Sequence, residues 1–128
     1  MNLSKLPKFL IFTVALFVSC VTLSAAELQF ASVFTDHMVL QRDAAVPIWG
    51  WATPGEDVVV EFAGQTKSAQ ADASGKWQVK LDLLPVSAKP QELVVHPKTG
   101  GQKLVISDVL VGDVWLCSGQ SNMAVPVR

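Results

Sequence analysis

Charge of either sign is sparse and evenly matched: Lys and Arg number 10, Asp and Glu 11, in 128 residues with a formal net charge of -1. That balance excludes a nucleic-acid binder relying on a basic surface, and equally an acidic disordered tail. Cysteine is almost missing, with Cys20 and Cys117 alone, and the two histidines are His37 and His96. There is no internal repeat and no low-complexity tract. Asp36, Asp43, Asp57, Asp108 and Asp113 show no clustered ligand spacing, so neither a metal site nor a cofactor is expected. A spanning helix is the lesser alternative for the N-terminal apolar run, because Phe9 to Val18 is too short and Ser19, Thr22 and Ser24 interrupt its end.

What that run does fit is a secretory signal over residues 1–26. Lys5 and Lys8 precede it, and Ser24-Ala25-Ala26 offers small side chains for a cut before Glu27. A secreted or periplasmic protein with no stable membrane span after cleavage is therefore expected. An alternative is a lipid anchor, since Val18-Ser19-Cys20 resembles the end of a bacterial lipoprotein signal, although Phe17 is unusual for such a box. Residues 27–128 keep eight of the ten basic residues and all eleven acidic ones, a net charge of -3. They suffice for one modest core and not for two complete domains. Cys20 leaves with the signal, so Cys117 has no partner for an intrachain disulfide.

From residue 46 to 107 the chain reads as short strands divided by turn chemistry. Residues 46–51 form one strand, with Trp49 and Trp51 on a shared face. Thr53-Pro54-Gly55-Glu56 is a turn, residues 58–62 are β-branched and aromatic, and Gly64-Gln65 can close a hairpin to residues 66–71. Asp72-Ala73-Ser74-Gly75 turns into residues 77–81, which alternate apolar and polar, so one face is buried and the other wet. Residues 83–90 read as a Pro-bracketed loop; residues 92–96, the turn 98–101 and residues 103–107 supply another hairpin. Five or six strands at this spacing indicate an antiparallel β-sandwich over residues 27–107. At Asp108 the pattern changes: residues 109–117 are nearly continuously apolar, as in a strand buried on both faces within a helix-flanked parallel sheet.

That strand runs into Ser118-Gly119-Gln120-Ser121-Asn122-Met123. A serine in a tight turn just past a buried strand, with Gly two residues before it, is where α/β esterases expose a nucleophile, and a following helix N-terminus can offer N–H groups to an oxyanion. By motif alone a structural turn or helix cap is an equal reading, because Met123 replaces the second Gly of the usual elbow. The run from Val109 to Met123, ending in Trp115-Leu116-Cys117-Ser118-Gly119-Gln120-Ser121-Asn122-Met123, resembles the nucleophile block of the sialate O-acetylesterase family. Upstream text is similar as well: residues 34–42, residues 46–52, Pro54-Gly55, and Asp72 through Trp77.

The resemblance implies an SGNH-type hydrolase domain preceded by a β-sandwich. It also implies hydrolysis of O-acetyl esters on sialic acids or related acetylated sugars by a Ser nucleophile with a His base and an Asp. Residue by residue it reaches Ser121 alone, as nucleophile and, through its backbone N–H, as one oxyanion donor. The family's remaining oxyanion residues, Asp and His follow the nucleophile. The expectation is therefore a mostly β chain: residues 27–107 a sandwich, and residues 108–128 the first strand and nucleophile turn of an incomplete α/β domain, inactive by itself. His37 and His96 are expected to be surface or structural residues and not the base, and Cys117 an inert buried thiol. The competing class is a secreted sandwich that binds or scaffolds carbohydrate without chemistry, using Trp49, Trp51 and Trp77 as a stacking platform. Packing of those tryptophans in the core opposes that reading; two or more coplanar rings open to solvent favour it.

Overall fold

The computed structural model describes residues 26–119. The expected signal, apart from Ala26, the Cys20 lipidation alternative and Ser121 lie outside the described residues. Eight strands follow in order: β1 (Gln29–Phe30), β2 (Val39–Gln41), β3 (Pro47–Trp51), β4 (Asp57–Phe62), β5 (Gln65–Gln70), β6 (Lys76–Lys80), β7 (Ser87–Pro97) and β8 (Leu104–Gly112). They build a three-stranded sheet, β1-β3-β6, and a five-stranded sheet, β2-β8-β7-β4-β5. No helix among the described residues is long and apolar enough to cross a membrane.

Period-two alternation decides which side chains lie between the sheets. Ile48 on β3 and Trp77 and Val79 on β6 face Val58, Val60 and Phe62 on β4, Leu93 and Val95 on β7, and Ile106, Val109 and Val111 on β8, in one continuous core. Gly50 pairs with Trp77 across β3 and β6, and the absent side chain leaves room for the indole. A Cβ at Gly50 would stand 2.0 Å from the Gln29 carbonyl oxygen and 2.7 Å from Trp77 Cζ2. Trp77 is 1% exposed and its indole N–H finds no acceptor among the described residues.

The turns follow the residues that permit them. Asp72 Oδ1 accepts from the Ser74 N–H (2.8 Å), the Ser74 hydroxyl (2.6 Å) and the Lys76 N–H (3.0 Å). The Ser74 hydroxyl, and then the Lys76 N–H, hold the Asp72 carboxyl below its usual pKa. The β4–β5 hairpin turns at Ala63-Gly64 and not at Gly64-Gln65: Phe62 pairs with Gln65, and φ of 49° and 75° at the two loop residues matches the twist of the flanking strands.

Four features depart from the sequence reading. β7 begins at Ser87, so part of the expected 83–90 loop is strand, and its irregular pairing spans Pro90, which has no N–H for the ladder. β1 and β2 were not anticipated. β2 pairs parallel with β8, an exception to the antiparallel scheme. The strand expected over residues 109–117 is displaced: β8 runs without interruption from Leu104 to Gly112 inside the sandwich sheet. Leu93 pairs with Ile106 but Gln91 with Val109, so β8 carries one extra residue around Asp108, whose φ is 56°. Such a bulge flips the parity, burying Val109 and Val111 on the same side as Ile106.

Candidate functional site

β8 is the strand from which the chain leaves toward Ser121. Past Gly112, residues 113–119 are exposed and carry no strand; Val114, Trp115 and Leu116 are 53%, 83% and 96% exposed. Cys117 is correspondingly an exposed free thiol. Its expected burial fails because β8 ends five residues earlier and nothing among the described residues covers the segment.

The exit is nevertheless held. Because β2 lies parallel to β8, the two strands end at the same edge of the sheet, with Gln41 opposite Gly112. Residues just after β2 therefore meet residues just after β8. The Arg42 N–H donates to the Gly112 carbonyl at 2.9 Å. Arg42 Nε donates to Asp113 Oδ1 at 2.9 Å and Nη1 to Asp43 Oδ2 at 3.2 Å. The Val114 N–H donates to Gln41 Oε1 at 2.9 Å, and Gln41 Nε2 in turn to the Arg42 carbonyl at 3.2 Å. The hydrogen bond to Asp113, and then its charge, raise the Arg42 pKa above its ordinary value, so the guanidinium stays charged at any working pH. Sequence reasoning gave Gln41 and Arg42 no role. Arg42 and Asp113 lie 71 residues apart, and no local spacing signals their meeting.

Both histidines are engaged. His37 Nδ1 lies 2.6 Å from Asp108 Oδ2, at side-chain exposures of 77% and 42%. The hydrogen bond with Asp108, and then the Asp108 charge, raise the His37 pKa above 6.5. Both residues have left-handed backbone, φ 63° and 56°. The segment is fastened further by the His37 N–H donating to Ser107 O (3.1 Å) and the Ser107 N–H to Asp36 Oδ1 (2.7 Å). His96 is 19% exposed, with Nε2 3.2 Å from Glu61 Oε1 and Nδ1 3.0 Å from the Pro97 carbonyl. It stands beside the start of β8, since Val95 pairs with Leu104, a strand length of roughly 26 Å from Gly112. A cleft lined by Glu27, Thr53, Glu56, Gln102 and Leu104 lies at that same starting end, away from the exit. Among the described residues no three His, Cys, Asp or Glu side chains come together as a metal site.

The three sandwich tryptophans do not form a platform. Trp77 is in the core, with the Phe30 ring at 6.0 Å. Trp49 is partly covered by Phe34, edge-on at 4.8 Å, and only Trp51 is open, at 39% exposure.

No family model matches the chain. It is 39% identical over 108 residues to the sialate O-acetylesterase of Mus musculus and 40% identical over 108 residues to that of Homo sapiens, in each case covering 77% of this chain. Its backbone superposes on a carbohydrate acetylesterase from Xanthomonas citri with a TM-score of 0.67 and 40% sequence identity, over 74% of this chain and 21% of that one. The chain spans about a fifth of the length of these curated relatives (20%). A two-sheet sandwich shared with an acetylesterase of known structure, and this identity along most of its length, make the chain a member of the sialate O-acetylesterase family.

Proposed function

We propose that this chain supplies the β-sandwich and the nucleophile-bearing segment of a secreted carbohydrate esterase that removes O-acetyl groups from sialic acids or related acetylated sugars. Ser121 is the nucleophile. Its Oγ attacks the acetyl carbonyl while a histidine base takes the hydroxyl proton; the tetrahedral oxyanion is met by backbone N–H groups, that of Ser121 among them. Collapse releases the sugar hydroxyl, which receives the proton, and leaves acetyl-serine, which water then cleaves to acetate. The observation that supports this reading is the exit of β8, braced at Gly112, Asp113 and Val114, after which the solvent-open Trp115-Leu116-Cys117-Ser118-Gly119 run continues in sequence to Ser121. His96 stands at the starting end of β8, roughly 26 Å of strand from Gly112, which favours a base from elsewhere, as in the family pattern.

The test is hydrolysis of 4-nitrophenyl acetate and of O-acetylated sialic acid. In a longer protein that carries this chain together with the histidine base, Ser121→Ala should abolish turnover while substrate binding persists, and His96→Ala should leave kcat within about twofold; residues 27–128 by themselves should show only background hydrolysis, unchanged by Ser121→Ala. Turnover that survives Ser121→Ala rejects the serine mechanism. Loss of turnover in His96→Ala without loss of folding rejects the assignment of the base. A binding module without catalysis predicts sugar binding, no hydrolysis by any variant, and sensitivity to Trp51→Ala.

A further inference from the structure

We propose that Gln41 and Arg42 are positioning residues for the esterase, holding the outgoing end of β8 so that the segment carrying Ser121 leaves the sandwich in one direction. The inference rests on the reading of Ser121 as nucleophile and adds the residues that aim it. Three consecutive positions on the departing chain are each fixed by two consecutive residues at the end of β2. The Gly112 carbonyl accepts the Arg42 N–H, the Asp113 carboxylate accepts Arg42 Nε, and the Val114 N–H donates to the Gln41 amide oxygen. Gln41 is itself tied to the Arg42 carbonyl, and Arg42 is shared with Asp43, so the bracket is closed on itself.

The topology makes this arrangement specific. Every other strand pair in the two sheets is antiparallel, and β2–β8 alone among the described residues is parallel. An antiparallel neighbour at this place would present a strand start; a parallel one presents a strand end, with side chains free to fold over the chain that leaves beside it. β2 is only three residues long and gives the core Leu40 alone, Val39 being 44% exposed. Its last residue and the one after it nonetheless supply the side-chain hydrogen bonds to Asp113 and Val114. Ser121 lies seven positions beyond Val114. Displacement of a reacting group by about 1 Å can cost 10²-fold in rate, so fixing the base of this segment bears on turnover more than on folding.

Three measurements on Gln41→Ala, Arg42→Ala and the charge exchange Arg42→Asp/Asp113→Arg test the proposal, with Lys67→Ala as control because it removes another exposed ion pair, to Asp82. Amide exchange at Val114 should speed up tenfold or more in Gln41→Ala and Arg42→Ala while Val94 and Val95 keep their protection. In a longer protein that carries this chain together with the histidine base, kcat on an acetyl ester should fall about tenfold to 10²-fold with KM within about twofold. The charge exchange should recover at least part of the kcat lost in Arg42→Ala, and Lys67→Ala should match the parent protein. Unchanged kcat in Arg42→Ala, where Ser121→Ala abolishes turnover, overturns the positioning role and leaves the serine reading intact. If turnover survives Ser121→Ala, the serine reading is what fails, and exchange at Val114 decides whether Gln41 and Arg42 hold the exit at all: no acceleration rejects that too.

Discussion

Gly50→Ala places a methyl group where two parts of the molecule already touch. The new Cβ would sit 2.0 Å from the Gln29 carbonyl oxygen and 2.7 Å from Trp77 Cζ2, and neither can be passed without movement. Trp77 is 1% exposed inside the core and has no free volume to enter. The cheaper relief is to peel β1 from β3, which forfeits the Gln29–Trp51 and Phe30–Gly50 pairing and the Ala31 N–H to Trp49 carbonyl bond of 3.0 Å. About two backbone hydrogen bonds at about 1 kcal/mol each, with about 1 kcal/mol for loosening Phe30 from the Trp77 and Phe34 rings, give a loss of about 3 kcal/mol. Overpacking with β1 left in place costs about 1–3 kcal/mol and leads to a similar figure. In a domain of this size that lowers Tm by roughly 12–24 °C. Urea melts followed by tryptophan fluorescence, with thermal melts by circular dichroism, read the loss directly. Gly55→Ala serves as comparison: φ is +80° but nothing lies within 4 Å, so only backbone strain of about 1–2 kcal/mol is incurred. Gly112→Ala meets Val39 Cγ1 at an ordinary 3.5 Å without a left-handed φ, and its stability should change by less than about 1 kcal/mol. If Gly50→Ala is no less stable than Gly55→Ala, the close approach of β1 and Trp77 across Gly50 is wrong.

The remaining predictions concern the His37–Asp108 pair and the end of β8. The pair raises the folded-state pKa of His37 above 6.5, so its stabilisation is complete below that value and fades as pH rises through the raised one. His37→Asn keeps a residue that tolerates φ of 63° and should lower the urea midpoint at about pH 6 but not at about pH 9; an equal deficit at both assigns the effect to the backbone. A polypeptide of residues 27–112 should fold and stay monomeric, whereas one of residues 27–107 should fail to fold because it loses Val109 and Val111 from the core. Residues 27–128, with Val114, Trp115 and Leu116 open, should self-associate at concentrations where 27–112 does not, as read by sedimentation.

The core strands were legible from periodicity or from composition. Trp77 and Val79 on β6 alternate with polar residues and are buried as the alternation requires, while β4, where Val59 breaks strict alternation, was legible from its β-branched and aromatic content. The shift of pattern at Asp108 is also real, but it marks a bulge within one strand, and an inserted residue and a change of sheet type leave the same trace in the hydrophobic pattern. β1 and β2, two and three residues long, carry no pattern of their own and exist only through distant partners. For the site, Ser121 was reached through the resemblance, since Gly-x-Ser by itself fits a turn equally well. The grip of Gln41 and Arg42 on residues 112–114 was invisible because it depends on a parallel pairing that no local rule announces.

That pairing also constrains the order in which the protein can fold. β3, β4, β5 and β6 find partners within short stretches of chain, but β2 has none until β8 exists, some seventy residues later. During synthesis the segment from Phe34 to Arg42 must therefore wait unpaired while the two sheets assemble, with Leu40 exposed before it takes its place in the core. Closure of the sandwich and fastening of the outgoing chain become one late event, because the same strand contact accomplishes both. A nascent chain stalled before β8 would be a substrate for holding chaperones.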